Sequence, residues 1–263
     1  MGRKLGQHFL NRKSTLNHIA ESACPETGSG ERTPLVIEIG AGRGALTESL
    51  LERADKVVAI EVDPVLIHYL HQKFRDALDA GRLTLVESDI LKTDLGGWGP
   101  AVIAGNLPYY ITSPILERIF ASSASWKLAV ILVQAEVAAR IVAEPGCRDY
   151  GYLSVLVQSQ ARAERLFEVP RTSFRPPPKV DSAVVRLEPI DAGIGNLPSF
   201  LKFAGNCFRY KRKTLRNNLA GLYDRPAIES LVGPKDRAEA LGVPELARLY
   251  EALTMPRPVV YPT

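Results

Sequence analysis

At 263 residues, with 46% hydrophobic and 24% charged residues, the chain suits one sizeable α/β domain with a smaller companion, and wholesale disorder is excluded. A net charge of +4 is too small by itself to name a partner, and three cysteines, odd in number and far apart, exclude a disulfide framework and a zinc site. The start MGRKLGQHFL lacks an apolar signal region, Gly6 stands where a myristoylation signal needs Ser or Thr, and the longest apolar run, Leu128 to Val133, is too short to span a bilayer; a cytoplasmic protein with no membrane attachment is expected.

In chain order, strand-length apolar runs alternate with amphipathic stretches. The strands are LVIEI (Leu35 to Ile39), VVAIE (Val57 to Glu61), LTLVE (Leu83 to Glu87), AVIA (Ala101 to Ala104) and LAVILV (Leu128 to Val133). Helical patterns cover Ala45 to Arg53 and Pro64 to Ala80. Such alternation predicts a Rossmann-like, doubly wound α/β domain whose parallel sheet is buried on both faces. AEVAARIVAE reads as a helix stopped by Pro145 and Gly146, and LSVLVQSQARAERL fits a helix somewhat better than a strand. LFEVP and SAVVRLE alternate as strands around FRPPPKVD, where consecutive prolines require a loop.

Periodicity lapses over IDAGIGNLP, and the remainder of the chain is predicted as short amphipathic helices, so the chain divides into a cofactor-binding domain over 1–189 and a small all-α domain over 190–263. Between Asn196 and Ala220 stand Lys202, Arg209, Lys211, Arg212, Lys213 and Arg216 with no Asp or Glu, so the rest of the chain is net negative. A helix through Arg209, Lys211, Arg212, Lys213 and Arg216 is expected to bind RNA phosphates, since uncompensated positive charge repels itself unless a polyanion neutralises it.

Gly40, Gly42 and Gly44 follow the first long strand and precede a helix, where glycines let a nucleotide-type ligand approach the backbone. Glu61 ends the next strand 21 residues after Gly40, placed to accept hydrogen bonds from both ribose hydroxyls. Asp89, after the third strand, is placed to accept from an adenine amino group. These features suit either a nicotinamide dinucleotide or S-adenosylmethionine; the spacing G-x-G-x-G differs from the dinucleotide pattern G-x-G-x-x-G, which aims a helix N-terminus at a pyrophosphate.

The fourth strand decides between them, because it ends in Asn106-Leu107-Pro108-Tyr109. An adenine N6 amine is a poor nucleophile with its lone pair delocalised into the ring. The Asn106 side-chain carbonyl and the Leu107 backbone carbonyl can hold its hydrogens and aim the lone pair at a methyl carbon, Pro108 makes the two acceptors converge, and Tyr109 offers a face for the extruded base. No histidine follows His71, which excludes a Ser-His-Asp or Cys-His hydrolase, and no metal is expected.

With GQHFL, EIGAGRGALT, AIEVD, ESDI, GNLPYYI, FRPPPKVDSAVVRL and FRYKRKTLRNNL in that order from Gly6 to Leu219, the chain resembles the KsgA family of ribosomal RNA small-subunit adenine dimethyltransferases. The resemblance implies S-adenosylmethionine as cofactor, held at His8, Leu10, Gly40, Glu61, Asp89 and Asn106, with Tyr109 beside the target base and Phe174 closing on its opposite face. It implies dimethylation of two adjacent adenosines in a hairpin near the 3′ end of small-subunit RNA, by a monomer acting on the immature small ribosomal subunit. The chain departs from the family's common pattern at His8 and Tyr110, where Asn is frequent.

Overall fold

The computed structural model describes residues 8–26, 30–122 and 126–254. Contacts within the chain divide it into two units, the first reaching to Ala139 and taking up again over Ala161–Pro189, the second made of Arg140–Gln160 and the residues from Ile190 onward.

The first unit opens with β1 (Phe9–Leu10) and α1 (Lys13–Ala23), then β2 (Thr33–Ile39), α2 (Ala45–Leu51), β3 (Ala54–Glu61), α3 (Pro64–Lys73), α4 (Arg75–Asp79), β4 (Leu83–Glu87), β5 (Ala101–Asn106), α5 (Thr112–Ala121) and β6 (Trp126–Gln134). Helix α6 (Ala135–Ile141) leads out of it, α7 (Tyr152–Gln158) belongs to the second unit, and β7 (Ala161–Val169), β8 (Phe174–Arg175) and β9 (Ser182–Pro189) return to the first. Seven strands form one sheet in the order β4-β3-β2-β5-β6-β9-β7, and β1 pairs with β8 in a separate ladder. Strands β2 to β6 run parallel, as the alternation predicts, while β9 lies antiparallel to both β6 and β7. The sheet is therefore mixed, with β9 the one strand that runs against the others and β7 beyond it again in the common direction; the segments read as strands around the proline-rich loop lie in these two.

Burial on both faces explains the unbroken apolar strands. Val36, Val57, Val102 and Val130 pack with Leu16, Ile19, Leu46 and Leu50 of α1 and α2, while the alternate residues Ile37, Val58, Ile103 and Ile131 are equally buried. The expected helix from Pro64 to Ala80 is broken at Phe74, whose φ of −114° and ψ of 29° leave the helical region. Strand order reverses between β2 and β5, and in such sheets ligands bind outside the carboxyl ends of the strands at that point.

Gly105 is demanded by this junction. A Cβ there would stand 2.5 Å from the Ile39 backbone oxygen, so Gly105→Ala must prise β5 from β2 just before Asn106. Its expected cost is about 1–3 kcal/mol, in the range of overpacked cores, read as a lowered urea midpoint.

In the second unit, α8 (Leu197–Cys207), α9 (Leu215–Leu219), α10 (Arg225–Leu231) and α11 (Val243–Thr254) enclose a core of Phe200, Phe203, Cys207, Leu215, Ile228 and Leu246. Tyr150 and Val155 belong to the same core, which is why Arg140–Gln160 groups here although the sequence division at 189 put it in the first domain. LSVLVQSQARAERL is half helix and half strand: the Gln158 amide caps the carbonyls of Ile141 and Ala143 at 3.1 and 2.8 Å, and the chain then turns into β7.

The basic segment corrects the sequence reading. Arg209 to Lys213 form a turn between α8 and α9 rather than a helix. Asn218 imposes the turn, accepting from the Tyr210 N–H at 3.2 Å and donating to the carbonyls of Cys207 at 2.7 Å and Tyr210 at 3.3 Å. No helix among the described residues is long and apolar enough to cross a membrane.

Candidate active site

Because Gly40, Gly42 and Gly44 have φ of 76°, 57° and 72°, only glycine adopts the turn between β2 and α2 without strain. Lys73 latches the turn, donating to the carbonyls of Arg43 and Gly44 at 3.4 and 3.3 Å while pairing with Glu48 at 3.2 Å. Beside it opens a cavity of about 520 Å³ whose walls include Leu10, Gly40 and Asn106 of the predicted residues, together with Phe9, Glu38, Arg43, Tyr69 and Arg175.

Glu61, only 4% exposed, joins the turn from the end of β3. One carboxylate oxygen accepts from Gly42 N–H at 2.8 Å, the other from the N–H groups of Val62 and Asp63 at 2.9 and 3.0 Å. A carboxylate has about four acceptor sites, so one remains open, where the sequence expectation of bonding both ribose hydroxyls needs two. Asp89 follows β4 at the same sheet edge, where Ser88 N–H donates to the Glu61 carbonyl at 3.0 Å; one Asp89 oxygen accepts from Leu91 N–H at 3.0 Å.

Sequence reasoning passed over Glu38, although a carboxylate inside a strand buried on both faces is itself a signal. Burial pushes its carboxyl up to about 8, against the hydrogen bond from Thr47 that favours the ion, with Glu61 nearby raising it further. Glu38 is thus largely protonated at neutral pH.

At the end of β5, Asn106 is turned by an unambiguous partner. Its Nδ2 donates to the backbone oxygen of His8 at 3.1 Å. A carbonyl only accepts, so this bond fixes the amide and leaves Oδ1 as the acceptor. Leu107 is 1% exposed and donates its N–H to Leu132 at 3.0 Å, while no hydrogen bond within the described residues uses its carbonyl. Pro108, with φ −59° and ψ 122°, leads into a tight turn over Tyr109–Ile111.

Tyr109 is held by Ser182, the hydroxyls standing 2.6 Å apart, and burial raises its phenol above the ordinary range. The imidazole of His8 donates from Nδ1 to the Pro176 oxygen at 2.8 Å and stacks toward Tyr109, ring centroids 6.1 Å apart and 24° from parallel. His8 is not a cavity wall; its ring ties the proline-rich loop to the N-terminal segment. Phe174 needs a second correction. It pairs with Leu10 in the β1–β8 ladder, is 1% exposed and belongs to the core, so it offers no ring face to a base.

Ser182, also missed from sequence, fixes the Tyr109 hydroxyl. Ser182→Ala is expected to raise KM for RNA severalfold, and to add nothing in a Tyr109→Phe background, since both changes delete one hydrogen bond. Additive losses in that double-mutant cycle would uncouple the two.

In the second unit, Arg216 donates to the carbonyls of Val232 and Glu229 at 2.8 and 3.3 Å, which uses two of its five N–H groups. Lys211 reaches the Arg148 carbonyl at 3.3 Å and Arg209 lies 5.3 Å over the Tyr210 ring. Arg212 and Lys213 are exposed, with no side-chain partner among the described residues. No cluster of His, Cys, Asp or Glu among them is arranged to hold a metal.

Known proteins resemble this chain over most of its length. The family model "Ribosomal RNA adenine dimethylase" matches residues 1–254. A protein of Acidobacterium capsulatum named ribosomal RNA small subunit methyltransferase A is 40% identical, over 95% of this chain and 90% of its own. Its namesake in Synechococcus elongatus is also 40% identical, over 92% and 91%. Among solved structures, a dimethyladenosine transferase from Plasmodium falciparum superposes with a TM-score of 0.78 at 27% identity, covering 92% of this chain and 96% of that one. The 23S rRNA methyltransferase ErmE gives 0.70 at 27% identity, covering 94% and 100%. With glycine turn, buried carboxylate and Asn-Leu-Pro-Tyr end of β5 all in place, the chain belongs to the ribosomal RNA adenine dimethylase family.

Proposed function

We propose that the protein methylates the N6 amines of two adjacent adenosines near the 3′ end of small-subunit ribosomal RNA, drawing on S-adenosylmethionine and acting as a cytoplasmic monomer on the immature subunit. When bound, that cofactor supplies an electrophilic methyl carbon. The residues present fit it: the glycine turn admits close backbone approach, Glu61 keeps one acceptor site for a ribose hydroxyl, and Asp89 keeps an oxygen for an adenine amino group.

The observation that carries the reading is the orientation of Asn106. With Nδ2 committed to His8, its Oδ1 and the unused Leu107 carbonyl form a pair of acceptors for the two hydrogens of an N6 amine. Holding those hydrogens localises the nitrogen lone pair and aims it, and positioning is most of what this displacement needs. Tyr109, its hydroxyl fixed by Ser182, offers its ring to the extruded base.

Small-subunit RNA is favoured over large-subunit RNA by the names of the relatives. The test is labelled methyl transfer to each RNA in turn: label in adenosines of small-subunit RNA is expected, and label confined to large-subunit RNA would move the target. Replacing Arg212 and Lys213 with Ala should leave cofactor affinity intact. It should weaken particle binding and flatten the log-log salt dependence by roughly one to two units. A parental salt slope would reduce the turn to a solvated surface.

A further inference from the structure

The rim of the cavity carries two cations that methyl transfer leaves unused. Arg43 stands between Gly42 and Gly44, exposed, its guanidinium 4.8 Å over the ring of Phe9. Phe9 is in register with Arg175 across the antiparallel β1–β8 ladder, and directly opposed residues project to the same face. Arg175 is exposed as well, and all three residues line the cavity.

Neither guanidinium has a carboxylate within ion-pair distance among the described residues. The contrast on the same wall is Lys73, which is neutralised by Glu48 at 3.2 Å. The carboxyl in the cavity wall does not compensate either: Glu38 is 1% exposed and bonded to the Thr47 hydroxyl, and Glu61, 4% exposed and outside the lining, is occupied by three backbone N–H groups. Two unpaired guanidiniums lining one cavity repel each other, and an oxyanion between them relieves that repulsion through charge-assisted hydrogen bonds.

We propose that Arg43 and Arg175 form a phosphate clamp at the mouth of the cavity, gripping the RNA backbone next to the adenosine being methylated. The clamp rests on the reading that the substrate is RNA. An adenosine extruded from its stack is held by its flanking phosphates, and such contacts set register without reading sequence. Phe9 holds the Arg43 guanidinium in place before RNA arrives, so less side-chain freedom is lost on binding.

The test compares Arg43→Gln, Arg175→Gln and the double variant with the parent, as full chains, by binding to under-methylated small-subunit particles across a salt series. Calorimetry with S-adenosylmethionine and urea midpoints run in parallel. The double variant is expected to bind particles on the order of tenfold more weakly. Its log-log salt slope should be shallower by about 0.7 to 0.9 for each phosphate released from the clamp. Cofactor affinity and urea midpoint should stay parental, and Arg43→Lys, which keeps the charge, should recover most of the slope.

Unchanged particle affinity and slope, in variants that fold and bind cofactor, would refute the clamp and leave the methyltransferase reading standing. A fall in cofactor affinity without a change in salt slope would assign the pair to the cofactor's carboxylate and equally refute it. Failure of the parent itself to bind or methylate RNA would instead overturn the reading on which the clamp rests.

Discussion

Replacing Glu61 with Ala is expected to cut S-adenosylmethionine affinity on the order of ten- to a hundredfold, the worth of one charge-assisted hydrogen bond of about 1.5–3 kcal/mol. Sequence position alone suggests two such bonds and a larger loss. The smaller loss is set by geometry, since three backbone N–H groups already occupy the carboxylate. Those three groups add a second effect: with Ala in place, the donors of Gly42, Val62 and Asp63 lose their acceptor and the glycine turn loosens. Glu61→Gln separates the two. Its amide oxygen can still accept from Val62 and Asp63, but its NH2 group faces the Gly42 N–H, donor against donor. Both variants should therefore lose affinity, with Ala losing more stability. Calorimetric titration checks this, and parental affinity in a folded Glu61→Ala protein would remove Glu61 from the site.

Asn106→Ala should cost methyl transfer on the order of a hundredfold or more while RNA affinity stays near parental, because the variant loses the acceptor that orients the amine and no phosphate contact. Asn106→Asp is the sharper probe. Its carboxylate retains an acceptor, yet it cannot donate to the His8 carbonyl and would face that oxygen with negative charge. Loss of rate in Asp as well as Ala would mean that the tie to His8 matters, and not the acceptor alone. Single-turnover rates at saturating cofactor and RNA provide the readout; equal rates for Asn106→Ala and parent would dismiss the assignment.

The chain's parallel strands and glycine turn are legible because both are local. LAVILV is apolar on both faces, LVIEI is so but for Glu38, and the three glycines occupy a turn that only positive φ completes. The Asn-Leu-Pro-Tyr sequence is legible for the same reason, its chemistry lying within four consecutive residues. The features that escaped depend on partners far along the chain. Asn218 breaks the expected basic helix by bonding back to Cys207 and Tyr210, and Arg216 is claimed by carbonyls at the end of α10. Phe174 is buried because β8 meets β1, a pairing no local pattern announces. Ser182 gains its role only when β9 brings it to Tyr109.

The most direct test of the account is mass-spectrometric analysis of under-methylated small subunits incubated with the protein and labelled S-adenosylmethionine. Two labelled methyl groups should appear on the N6 of each of two adjacent adenosines near the 3′ end, and should be lost with Asn106→Ala. A folded, cofactor-binding protein that leaves those adenosines unlabelled would contradict it.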